Sequence, residues 1–209
     1  MGAPVAKQFL PLAGKPVLLH TFRAFAAFDP AMQFVLVLFP SLVAQWQEIA
    51  AAHHFELEHN VVHGGAERFH SVKAGLAALR PQVQVVAIHD AVRPLVSHAT
   101  LERCFAAAES HGTAIPAVPV TDTIRRISPG HSTTLPRHEL LAVQTPQCFR
   151  RSLIDRAYEV AYQPLFTDDA SVVEHAGHPV HIVAGNRTNI KLTTPEDLVI
   201  AETLIRSRF

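Results

Sequence analysis

Short apolar runs alternate with longer segments of helical period, and that order constrains the fold of this chain more than any other feature. Residues 34–39, Phe-Val-Leu-Val-Leu-Phe, form a strand-length apolar run, and residues 41–52 that follow have the amphipathic period of a helix. Further strand-like runs lie near residues 55–62, 83–88, 113–120 and 180–183, with helical stretches near 71–79, 99–110, 152–162 and 170–175. Strands that read as continuous Val/Ile/Leu runs between helices imply a mainly parallel sheet covered on both faces. The expected fold is therefore a doubly wound, Rossmann-like α/β domain occupying the 209 residues.

Two segments stand out from the alternation. The last helix has a defined start: Thr194 can cap free backbone N–H groups, Pro195 suits the first helical position, and Glu196 and Asp197 favour the positive end of the dipole. That helix should run to about Arg206. Residues 121–143 carry Gly, Pro, Ser and several basic residues, too long and too polar for an ordinary connection, and are expected to form a functional or interface excursion.

Composition narrows the function. Hydrophobic residues make up 48% of the chain, enough for one sizeable core. Eighteen Lys plus Arg balance eighteen Asp plus Glu, unlike the basic excess of a nucleic-acid binder, so a small-molecule partner is favoured. The apolar runs are strand-length and residues 1–7 lack the order of a secretory signal, so a cytoplasmic protein without a membrane segment is expected. Cys104 and Cys148 belong to no C-x-x-C pair and read as buried free thiols. His175, His178 and His181 have no metal-ligand spacing, since Gly177 and Pro179 break any helix that would align them.

Three motifs carry the chemistry. In His89-Asp90-Ala91-Val92-Arg93-Pro94, Asp90 and Arg93 follow a buried strand at its carboxyl end, where open α/β sheets bind ligands. A carboxylate there can hold Mg²⁺ against nucleotide phosphates, or simply pair with the arginine. Gly64-Gly65-Ala66-Glu67-Arg68 lies between a strand and a helix, so its N–H groups could approach a base or phosphate, although a plain turn needs the same glycines. Asn189-Ile190-Lys191-Leu192-Thr193 places a lysine in a strand-like stretch just before the capped helix, where it is either a phosphate contact or a solvated surface charge.

Together with Ala6-Lys7-Gln8-Phe9, Thr121-Asp122-Thr123, Gln144-Thr145-Pro146-Gln147 and Thr167-Asp168-Asp169-Ala170-Ser171, these strings resemble, in order and over nearly the whole chain, the methylerythritol phosphate cytidylyltransferase family. The resemblance implies Mg²⁺-dependent transfer of a cytidylyl group from CTP to 2-C-methyl-D-erythritol 4-phosphate with release of pyrophosphate, in non-mevalonate isoprenoid precursor synthesis. It implies that Lys7 binds the triphosphate and that Lys191 stabilises charge at the α-phosphate. Asp90 would hold Mg²⁺ and substrate hydroxyls, Arg93 would shape the sugar-phosphate pocket, and Thr145 and Thr167 would bind substrate. Cytosine would be read by Gly65, Ala66 and Ser71. The 121–143 excursion would be a β-arm exchanged across a homodimer, bringing Thr123 and Arg137 to the partner's substrate phosphate.

The chain departs from the family pattern in two places. Ala66 stands where the family commonly has Asp. The family's opening strand and Gly-rich loop, which carries an arginine, would precede Lys7, and they have no counterpart here. The resemblance then implies a misplaced start or a truncated sequence, an incomplete triphosphate cradle, unpaired neighbours of a central strand, and a chain that is poorly stable or inactive in this form. A cytidylyltransferase for another polyol phosphate such as ribitol 5-phosphate shares much of the pattern, and a non-catalytic nucleotide-binding dimer is the alternative from another class. A UTP- or GTP-dependent enzyme fits the later motifs less well.

Overall fold

The computed structural model describes residues 6–207, so the reading of residues 1–5 lies outside the described residues. In chain order the strands are β1 (Pro11–Leu12), β2 (Lys15–Pro16), β3 (Val35–Leu38), β4 (Asn60–His63), β5 (Val85–Ile88), β6 (Thr113–Pro119), β7 (Ile124–Ser128), β8 (His131–Leu135), β9 (Leu141–Val143), β10 (Gln147–Arg150) and β11 (Ile182–Ala184). The helices are α1 (Val17–Phe28), α2 (Val43–Ala52), α3 (Arg68–Ala77), α4 (His98–His111), α5 (Arg151–Ala157), α6 (Asp169–His175) and α7 (Pro195–Arg206).

The alternation expected from the apolar runs is present. β3 pairs in parallel with β4, and β6 in parallel with β11. β10 lies between β5 and β6, antiparallel to both, so β5, β6 and β11 run one way and β10 the other. Phe149 on β10 is fully buried with Phe69, Val86, Ile154 and Val173, which places the main core between sheet and helices. Cys104 and Cys148 are both buried and free, as expected.

Among the described residues β3 pairs only with β4, and β5 only with β10. Between the two strand sets lies a cleft of about 660 Å³, lined by Val35, Leu36 and Val37 on one side and residues 85–88 on the other, with Leu18, Phe22 and Phe25 of α1 among its walls.

Several elements differ from the sequence expectation. α1 buries Val17, Leu18, Leu19, Thr21, Phe22 and Phe25, but it starts after Pro16 with no side-chain cap, so it carries no start signal. β10 is four residues long and begins with a buried glutamine, which hides it among polar neighbours. The strand near 55–62 begins only at Asn60, and the helix near 152–162 ends at Ala157. Residues 189–193 are not a strand. Their backbone is held instead by the Leu192 N–H donating to the Val92 carbonyl (2.9 Å) and by a buried Asn189.

α7 has the bounds expected from its sequence. The Thr194 side chain accepts from the Asp197 N–H, while the Asp197 carboxylate accepts from the Thr194 N–H, closing a capping box.

The 121–143 excursion is an antiparallel hairpin, β7 with β8, turning at Gly130 with φ +78°. Its strands pair with each other and with no other described strand. Arg125 ties the hairpin across its face, donating to the Ser132 and Thr134 hydroxyls and to the Ser132 carbonyl. β9 then returns the chain to the edge of β6.

Candidate active site

Asp90 lies two residues beyond the end of β5 and is held from both sides. Its N–H donates to Thr145 Oγ1 (3.0 Å), and Thr145 Oγ1 also lies 3.0 Å from His89 Nδ1. His89 Nε2 meets the Arg93 carbonyl at 3.0 Å. With its lone pairs facing Asp90, the Thr145 hydroxyl donates to Nδ1, which leaves the imidazole proton on Nε2 for the Arg93 carbonyl. His89 is partly buried, and the loss of water around the ring holds its pKa down at about 4, so the ring is neutral at pH 7.

The Asp90 carboxylate gathers cations. Lys191 Nζ lies 3.0 Å and Arg93 Nε 3.3 Å from Oδ2. Burial disfavours the charged carboxylate, but Lys191, then Arg93 and Arg68, outweigh it and hold the Asp90 pKa below its usual value. Arg93 also donates from Nη1 to the Asn189 carbonyl (2.7 Å), and the Asn189 amide donates to the Thr145 carbonyl (2.8 Å). Gln144 Nε2 completes the wall on the Asn186 carbonyl at 2.9 Å. Lys7 reaches the same region, donating to the Thr193 carbonyl at 3.1 Å. One carboxylate among these cations leaves a positive surplus at the carboxyl end of a strand, suited to a polyphosphate.

The Gly64–Gly65 turn forms a second group. The Gly65 N–H donates to Ser71 Oγ (3.1 Å), and that hydroxyl donates to the Glu67 carbonyl (3.2 Å). A side chain at Gly65 would collide with His70, so the close return of α3 over this turn requires glycine. Ser71, Arg68, His89 and Asp90 line the same cleft.

The structure therefore brings Asp90, Arg93, Thr145 and Lys191 into one cluster, with Lys7 bonded to the Thr193 carbonyl two residues beyond Lys191, Gly65 and Ala66 in the neighbouring turn and Ser71 on α3. Thr167 is exposed on the loop before α6. Thr123 and Arg137 lie on the hairpin segment, and Arg137 donates to the Thr121 carbonyl (2.8 Å) rather than to any residue of the Asp90 cluster. Gln144, Asn189 and His89 fall inside the sequence motifs, but the sequence alone gives them no role. A buried polar residue inside a string otherwise assigned to substrate was the available signal.

A sequence profile of 2-C-methyl-D-erythritol 4-phosphate cytidylyltransferase matches residues 1–207. The protein of that name from Phocaeicola vulgatus is 48% identical over 205 residues, covering 98% of this chain and 93% of its own length. The one from Geobacillus kaustophilus is 44% identical, covering 100% and 92%. Among solved structures, the 2-C-methyl-D-erythritol 4-phosphate cytidylyltransferase of Thermus thermophilus matches with a TM-score of 0.81 at 33% identity, over 97% of this chain and 96% of that one. The 4-diphosphocytidyl-2C-methyl-D-erythritol synthase of Anaerococcus prevotii gives a TM-score of 0.84 at 27% identity, over 98% and 92%. Likeness of sequence and fold over nearly the whole length makes this chain a member of the 2-C-methyl-D-erythritol 4-phosphate cytidylyltransferase family.

Proposed function

We propose that the Asp90–Lys191–Arg93 cluster is the centre at which this nucleotidyltransferase moves a cytidylyl group from CTP to 2-C-methyl-D-erythritol 4-phosphate, a step of isoprenoid precursor synthesis. An oxygen of the 4-phosphate attacks the α-phosphorus of CTP, a new P–O–P bond forms, and the bond to the bridging oxygen breaks as pyrophosphate leaves. Such a transfer needs in-line positioning and neutralisation of charge on the phosphorane more than any covalent partner. The observation that carries the reading is the surplus of cations around one ionised carboxylate.

In this reading Lys191 gives its charge to the α-phosphate and Lys7 to the triphosphate. Thr145 and Arg93 fix Asp90 while contacting substrate, and Thr167 binds the incoming phosphate. The Gly65–Ala66 backbone and Ser71 read cytosine, with ligand groups replacing the internal Gly65–Ser71 bond. Mg²⁺ fits this donor set: Asp90 is ionised, and no described protein group bonds its Oδ1. One carboxylate completed by substrate oxygens is an ordinary way to hold this ion, and bound Mg²⁺ would neutralise phosphate charge.

The hairpin supports a homodimer. An isolated two-stranded ribbon is marginal in water, and Ile127 on this one is 78% exposed. A partner would cover it and receive Thr123 and Arg137 at its substrate phosphate. We read the chain as one catalytic domain with this arm. Balanced charge argues against a nucleic-acid partner, and no described helix is long and apolar enough to cross a membrane, in keeping with a cytoplasmic enzyme.

The test is pyrophosphate release from CTP with methylerythritol phosphate and, separately, ribitol 5-phosphate. A higher kcat/KM for methylerythritol phosphate is expected. Preference for ribitol 5-phosphate, or CTP binding without release on either acceptor, would overturn the assignment.

A further inference from the structure

Arg68 is the first residue of α3, directly after the glycine turn, and its guanidinium reaches across to the start of α6. Nη1 meets Asp169 Oδ1 at 2.9 Å and Nη2 meets Oδ2 at 2.5 Å, a two-pronged pair on a carboxylate with no exposed surface. The Tyr158 hydroxyl donates to the same carboxylate at 2.6 Å. Gln147 of β10 locks the adjoining loop: its Oε1 accepts from the Asp169 and Ala170 N–H groups, and its Nε2 donates to Asp168 Oδ2 (2.7 Å). Thr167 stands immediately before this locked pair.

From this geometry we infer that Arg68 is a positioning residue for the transfer, clamping the loop that carries Thr167 to the start of α3, which carries Ser71 and follows the turn of Gly65 and Ala66. The inference rests on the roles proposed above for those residues. The nucleotide half of the site is built on the β4–α3 turn and the acceptor half on the loop before α6, 101 positions apart along the chain. The Arg68–Asp169 fork ties them directly. Arg68 also lines the cleft with Asp90, and its charge is among those that lower the Asp90 pKa. Attack in line at phosphorus depends on the separation of donor and acceptor, so loosening the clamp should act on turnover more than on either binding step.

Three variants of the full chain separate positioning from bulk stability. Arg68→Lys keeps the charge but cannot form the planar fork. Asp169→Asn breaks the fork from the other side. Tyr158→Phe removes one bond to Asp169 and leaves the fork whole. Kinetics are read at a temperature where circular dichroism shows each variant fully folded. Arg68→Lys and Asp169→Asn should lower kcat roughly 10- to 100-fold while KM for each substrate moves less than about threefold. Tyr158→Phe should lower the melting temperature and leave kcat near the parent value. Loss of kcat in proportion to loss of melting temperature across all three would overturn the clamp, as would parental kcat in Arg68→Lys. Ser71→Ala and Thr167→Ala run beside them report on the underlying site: if both leave KM unchanged, the roles of those residues fail, whereas raised KM there with a parental Arg68→Lys sinks the clamp alone.

Discussion

Lys191 Nζ sits 3.0 Å from Asp90 Oδ2, so in the free protein the cation proposed for the α-phosphate rests on a carboxylate at the same site. Arg93 shares that carboxylate, and Asp90 keeps a partner when the lysine is removed. Lys191 is also about half exposed, so its pair contributes little to stability. Lys191→Ala should therefore cost roughly 10²–10³-fold in turnover, the scale of losing one transition-state donor, with almost no change in melting temperature. Pyrophosphate release and thermal melts measure the two. Turnover near the parent value would remove Lys191 from the chemistry.

His89 gives a pH dependence of stability. Burial lowers its pKa from the ordinary 6.5 to about 4, so between those values the unfolded chain binds a proton that the folded chain does not. Stability then rises with pH across that window, is fully present above 6.5, and is lost as pH falls towards 4. The span corresponds to about 3.5 kcal/mol at most, at roughly 1.4 kcal/mol per pH unit. Urea unfolding of the parent and His89→Gln from pH 4 to 8 should show a shallower slope for the variant in this range. Equal slopes would mean that His89 is not held neutral.

Much of this was legible from sequence because it is local. Thr194, Pro195 and Asp197 act within one helical turn, and Asp90 was placed by the apolar run just before it. The pairing of Arg93 with Asp90, three residues apart, was legible as the plain alternative to a catalytic role, and the structure contains that pair. What holds the site is not local. Thr145 meets Asp90 and His89 across more than fifty positions, and Asn189 reaches Thr145 across 44. No periodicity encodes such contacts. α1 is hard to read for a different reason: Leu18, Phe22 and Phe25 have helical spacing, but Pro16 offers no capping side chain to mark the start.

The hairpin predicts complementation between subunits. If Arg137 serves the partner's site, a heterodimer of Arg137→Ala and Lys191→Ala chains has one site lacking both groups and one site with both intact. Mixing the two inactive variants under conditions of subunit exchange should regenerate activity, up to about half the parental sites in each heterodimer by symmetry. Mixtures that exchange, as shown by a mass-tagged chain, and yet stay as inactive as either parent would place Arg137 in its own subunit's site or outside any site.

The cleft between β3 and β5 carries the last prediction. Each strand leaves one edge unpaired among the described residues, and residues of both line the same 660 Å³ space. Neighbouring strands sit about 4.8 Å apart, so a slot flanked by two open edges suits one further strand. Each buried N–H or C=O left without a partner costs about 1–3 kcal/mol. Ala6 packs against the cluster that contains Leu36 and Leu38 of β3, so a strand added at the N-terminal end of the chain is the test of this slot. A chain extended there by a Val/Ile-rich strand and a Gly-rich turn should melt at a higher temperature and exchange amide hydrogens more slowly over 35–38 and 85–88. It should also release pyrophosphate faster, because the turn's N–H groups would face the triphosphate near Lys7. An extension of equal length with proline at alternate positions lacks the donors for pairing and should give none of these gains. If the Val/Ile extension melts, exchanges and turns over as the parent does, the cleft is not a strand slot.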